Sequence, residues 1–173
     1  MLAPAADGGT DSTASASCPI TSGRGGPKIN PATGLSTDYL NHFTEAVMVL
    51  EMVGTMPECL DDLRAWRPKT YAEHFAASRF ANRNAIVNAY ESADPAVRAA
   101  LDRASEMLNA MVRRSLELVL QHVGTAEGEA TARRALDRLR PLIARTAALI
   151  NGTACEAEDR EGPQAAIDAM FVR

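Results

Sequence analysis

The sequence predicts an all-α fold: a helical bundle of four to five mostly antiparallel helices behind a disordered N-terminal tail. Three observations carry this. Apolar residues recur at three- and four-residue spacing over long segments, the period of a helix with one buried face. Helix start and stop signals fall at the ends of those segments, among them Thr70-Tyr71-Ala72-Glu73, Asp94-Pro95 and Asn151-Gly152. No segment alternates apolar and polar residues in twos between turn residues, so no strand is expected. Long helices joined by short loops become antiparallel neighbours.

Residues 1–34 are rich in Gly, Ser, Ala, Thr and Pro and nearly empty of large apolar side chains. Such a stretch buries too little surface to offset its ordering entropy, so it is expected as a disordered tail. Asn30-Pro31-Ala32-Thr33-Gly34 reads as a turn leading into the folded part. The bundle domain is expected over 35–152. Residues 153–173 follow as a linker with a short C-terminal helix over Pro163 to Phe171.

The first helix is expected from Ser36 to Val53. Ser36, Thr37 or Asp38 caps it and Gly54 ends it. Leu40, Phe43, Val47 and Leu50 form its apolar stripe. At about 100° per residue, Met48, Val49 and Met52 point away from that stripe. A helix apolar on two faces is central in its domain or meets a partner. A short second helix spans Pro57 to Trp66, capped by Thr55 and broken at Arg67-Pro68. The Thr70–Glu73 capping box opens a third helix reaching Ser92, with Asn82 and Asn84 placed to bend or interrupt it. Asp94-Pro95 opens a fourth, which runs to Val123 and stops at Gly124. Thr125 caps a fifth, whose apolar face is Leu136, Leu139, Ile143 and Ile150 and which Pro141 should kink.

A chain of 173 residues with 46% hydrophobic and 23% charged residues is one ordinary globular domain. The net charge of −4 argues against general nucleic-acid binding. The three cysteines, Cys18, Cys59 and Cys155, are widely spaced and form neither a disulfide framework nor a zinc pattern. The first residues show no basic stretch followed by an apolar run, and no later segment is apolar enough to span a bilayer. A cytoplasmic protein without membrane contact is expected.

Seven of the eight aromatic residues lie between Tyr39 and Tyr90, and two of the three histidines share that window. His42 and Glu45 stand three apart on one helix face, and Glu73-His74 open the third helix. Carboxylates and imidazoles on facing helices are how bundles build metal sites. A divalent metal held by His42, Glu45, Glu73 and His74 is therefore one candidate. The di-iron order Glu-x-x-His is absent, and Glu73 already has a role in the cap. His74 is followed by Phe75-Ala76-Ala77-Ser78, a run of small residues that resembles the setting of the phosphoacceptor in histidine phosphotransfer domains. The lysine and glycine those domains carry a turn later are replaced by Ala77 and Ser78.

Other patterns point to bland roles. Arg133, Arg134, Arg138, Arg140 and Arg145 flank the apolar face of the fifth helix, where long stems lie along a core edge. Cys59 has acidic neighbours, which oppose thiolate formation. No GxSxG, HExxH, P-loop or GxGxxG pattern occurs. The leading expectation is a non-catalytic interaction or regulatory protein that binds a protein partner or itself through Met48, Val49 and Met52, with no cofactor. The alternative is a metal-binding or phosphotransfer bundle on His42, Glu45, Glu73 and His74.

Overall fold

The computed structural model describes residues 28–53 and 60–153, with the side chain of Leu60 excepted. Within these residues the fold is all-α, as the periodicity predicts. A 3-10 turn, Thr37–Leu40, leads into α1 (Asn41–Met52). Then come α2 (Leu60–Ala65), α3 (Tyr71–Ala76), α4 (Arg83–Ser92), α5 (Pro95–Gln121) and α6 (Ala126–Ile150). The expected features at Gly54, Thr55, Pro57 and Cys59, and the short C-terminal helix, lie outside the described residues.

The caps read from sequence hold the helix ends. Ser36 Oγ accepts from Asp38 N–H at the entry to the 3-10 turn. Thr70 and Glu73 form a reciprocal capping box at α3. Asp94 accepts from the N–H groups of Ala96 and Val97, with Pro95 in the first turn of α5. Thr125 accepts from Gly128 N–H at α6, and Asn151 caps its far end. The assignment of α6 runs unbroken through Pro141.

The third predicted helix is two helices. The break covers Ala77–Asn82: it ends at Asn82, the N-cap of α4, and begins five residues before it. Ser78 turns its hydroxyl back onto the Phe75 carbonyl at 2.7 Å and Ser78 N–H donates to the same oxygen. A serine bonding its own backbone in this way competes with continued helix.

The long hairpin α5/α6 forms the most extensive pairing, and α1 lies across both of its helices while also meeting α2. This central position answers the two-faced apolar pattern of α1. Tyr39, Phe43, Tyr71, Phe75, Leu101, Leu108, Leu139 and Ile150 are fully buried between these elements. Residues 28–34, placed in the tail by composition, carry defined structure. Ile29 bridges Ser36, and the buried Thr33 hydroxyl donates to the Ile150 carbonyl at 2.5 Å, tying the chain start to the end of α6. No helix among the described residues is long and apolar enough to cross a membrane.

Candidate functional site

The aromatic window folds into a continuous layer of rings where α1, the segment after α2, α3 and α5 meet. His42 is buried on α1. Its imidazole stacks on the Trp66 indole, centroids 4.8 Å apart and planes within 13°. Trp66 Nε1–H donates to the His42 carbonyl at 3.2 Å, so one tryptophan clamps both the ring and the backbone of the same residue. His74, half-buried on α3, comes within 6.0 Å of the His42 ring and stands edge-on to Tyr39 and Phe75. Tyr39 meets Tyr71, which stacks on Tyr90 at 4.9 Å.

Polar atoms thread this layer. The Lys69 carbonyl accepts from Tyr39 Oη at 2.8 Å and from Asn109 Nδ2 at 3.0 Å. The buried Ser36 N–H donates to Tyr71 Oη at 2.8 Å. Tyr90 Oη donates to the Asp102 carboxylate at 2.7 Å. Among the described residues, two buried side-chain atoms have no hydrogen-bond partner, His42 Nε2 and Asn109 Oδ1.

The electrostatics follow from burial and one nearby cation. Burial lowers the His42 pKa to about 4, and Lys69 and His74 push the same way; the Arg67 carbonyl opposes them. His74 is also lowered, first by burial and then by Lys69, while Asp38 pulls upward. Burial raises the Glu45 carboxyl, and Lys69 offsets part of that. Glu73 is held below its ordinary value by the Thr70 N–H and hydroxyl it accepts from. Tyr71 is raised to about 12 by burial, and Tyr90 reaches about 12 through burial and the Asp102 carboxylate.

The structure thus brings His42 and His74 together. It does not bring Glu73 with them, because that carboxylate lies at the surface in the cap, at 2.8 Å from Thr70 N. Among the described residues no group of three or more His, Cys, Asp or Glu side chains is arranged to hold a metal ion. His74 is half-buried and packs against the Tyr39, His42 and Phe75 rings.

On the other side of α1, Met48 is 49% exposed, the most exposed large apolar side chain of the described residues. Val49 instead packs partly buried against the core, and Met52 is half-buried. The exposed strip reads Asn41, Thr44, Glu45, Met48, Glu51. The α6 arginines are largely engaged at the surface: Arg133 with Glu129, Arg134 with Glu127, and Arg140 with Glu51 of α1.

Trp66, Lys69 and Asn109 were not visible as site residues in the sequence. Trp66 left a trace as a member of the Tyr39–Tyr90 aromatic cluster. The fold and this ring layer define a small all-α bundle with a histidine-containing aromatic core. Comparison with protein-family models, with curated proteins and with solved structures finds no match for the chain.

Proposed function

We propose that this chain is a non-catalytic cytoplasmic helical protein that acts by binding a protein, with the exposed side of α1 around Met48 as the contact and a second copy of the chain as its occupant. The observation that carries the reading is Met48 itself. It stands half out of the surface at the middle of a helix whose other flanks are used by the core. Methionine suits an adaptable contact surface, and α1 is rigidly backed by α5 and α6. A copy meeting a copy across a two-fold axis would pair Met48 with Met48, rimmed by polar residues.

The test is the solution mass by light scattering over a wide concentration range, for the natural chain and for Met48→Lys. The expected result is a dimer that Met48→Lys returns to monomer with unchanged helical circular dichroism. A strictly monomeric natural chain, or a dimer indifferent to Met48→Lys, would falsify this surface.

A second reading is a metal-binding or phosphotransfer bundle on His42, Glu45, Glu73 and His74. One observation favours it, the 6.0 Å approach of the two imidazoles. The Lys69 charge facing both rings and the commitment of Glu73 to its cap weigh against it. Elemental analysis showing near-stoichiometric metal on the purified protein, or phosphate recovered on His74, would reverse the order of the two readings.

A further inference from the structure

The piece of chain that carries Trp66 is attached differently from the rest of the bundle. The helix α2 is six residues long, and among its described side chains only Leu63 is buried. Beyond Leu63, the segment to Lys69 is tied down by the Trp66–His42 stack, by the Trp66 Nε1–H bond to the His42 carbonyl, and by the Lys69 carbonyl bonds from Tyr39 and Asn109. The stack depends on an imidazole in a state that the site can accept. The indole face by itself would hold a neutral or a charged ring, so the buried nitrogen decides. A charged ring carries an N–H on both nitrogens, and Nε2 is buried with no acceptor. The charged groups that face it are also of the wrong sign. They are Lys69 from the segment after α2 and His74 from α3, and no carboxylate is among the groups acting on the ring. Glu45, one turn further along α1, lies on the exposed strip and is not among the groups acting on the ring, and Glu73 and Asp61 are exposed at the surface.

We propose that the His42–Trp66 stack is an acid-sensitive latch: when His42 takes up a proton, its ring leaves the stack and the segment Leu60–Lys69 lifts from α1, while the α5/α6 hairpin stays folded. The device is local because the elements differ in construction. The hairpin is held by apolar burial along two long helices, including Leu101, Leu108, Val112, Leu136 and Leu139. Among the described residues, the α2 segment is held by one buried leucine, one ring stack, the Trp66 bond to the His42 carbonyl, the Arg67 carbonyl at the His42 imidazole and two hydrogen bonds on the Lys69 carbonyl. Elements with few buried apolar contacts open first. Opening uncovers the side of α1 that carries His42. The latch stands on this geometry alone and does not require the Met48 contact.

Trp66 is the only tryptophan of the chain, so its fluorescence reports the stack directly. The full-length protein is titrated from neutral pH to about pH 4, with tryptophan emission and far-UV circular dichroism followed together. The latch predicts a red shift of emission with a midpoint below the ordinary histidine value, with helical signal retained through that step. It predicts the loss of the step in His42→Gln, and a step moved to higher pH in His74→Gln, where one cationic neighbour is gone. Independently of any variant, one of the three histidine ring resonances in the NMR spectrum of the natural protein must titrate at the same midpoint as Trp66. Emission that stays flat to pH 4 overturns the proposal. So does a single transition in which emission and helicity fall together, a step that survives in His42→Gln, or a Trp66 midpoint matched by none of the histidine resonances.

Discussion

Replacing Gly128 by alanine should destabilise the fold, although it replaces a poor helix former with the best one inside a 25-residue helix. On propensity alone the change is worth about 1 kcal/mol in favour of the folded state. The geometry of the α5–α6 turn reverses the sign. His122 caps α5, and its carbonyl accepts from Thr125 N–H at 3.2 Å and from the Thr125 hydroxyl at 2.7 Å. Thr125 Oγ in turn accepts from Gly128 N–H at 3.2 Å. This closes the turn tightly over the first turn of α6. A Cβ at Gly128 would fall inside the contact distance of the His122 oxygen and within 2.9 Å of its carbonyl carbon. Both are backbone atoms, so no side chain can swing away. Relief requires the turn to move, which gives up the Thr125 cap, worth about 1 kcal/mol, and adds overpacking strain of about 1–3 kcal/mol. The net expectation is a loss of about 1–3 kcal/mol, read as a lower urea midpoint at unchanged slope. Gly124→Ala is the contrast: at φ +73 nothing lies within 4 Å of its added Cβ. It should lose only the left-handed conformational penalty of about 1–2 kcal/mol, with the Thr125 cap intact by NMR. A Gly128→Ala protein as stable as the parent, or more so, would refute the argument that this turn is pinned by backbone contact.

Two further outcomes follow from the ring layer. The His42 pKa is lower in the folded chain, about 4, than its ordinary 6.5, so the unfolded chain binds the proton first as pH falls. Stability from the neutral ring is full above 6.5 and drains as pH drops toward 4. The loss amounts to about 2 kcal/mol by pH 5 and about 3 kcal/mol by pH 4. Urea melts at pH 7, 6 and 5 check this, and His42→Gln should flatten the slope. Tyr71→Phe leaves the buried Ser36 N–H without its acceptor. It should cost about 1–3 kcal/mol and speed amide exchange at Ser36; unchanged exchange there would mean that another acceptor takes over.

The parts of this fold that were legible in the sequence are those fixed by near neighbours. The Thr70–Glu73 box, the Asp94-Pro95 start and the Thr125 cap each involve groups within three residues of one another. The break of the third helix reaches Asn82, as the sequence suggests, but its start at Ala77 was missed because Ser78 reads as an ordinary helix-compatible residue until its hydroxyl is seen on the Phe75 carbonyl. The start of the ordered chain was set too late for a different reason. Thr33 is held by Ile150, 117 residues away, and composition carries no sign of such a bond. At the candidate site, the meeting of His42 with His74 was foreseeable from aromatic and histidine clustering. Trp66 lying flat on His42 was not, since it depends on how a short segment folds back over 24 residues.

The aromatic window of the sequence is a core, and its unusual feature is where the core is polar. If packing were the only task at position 42, a phenylalanine would supply the same ring against Trp66 without a buried nitrogen that lacks a partner. Burying an unpaired polar atom costs stability. In this fold that cost is concentrated: His42 Nε2 and Asn109 Oδ1 both belong to residues that hold the Trp66–Lys69 segment. Along the α5/α6 hairpin, by contrast, the buried serines and threonines settle their hydroxyls on backbone carbonyls a turn away, as Ser105, Ser115 and Thr146 do. Among the described residues, the two unpaired side-chain atoms, one on α1 and one on α5, thus both lie where the short Trp66–Lys69 segment closes on these helices. In the proposed latch, this seam is the attachment that a proton on His42 loosens.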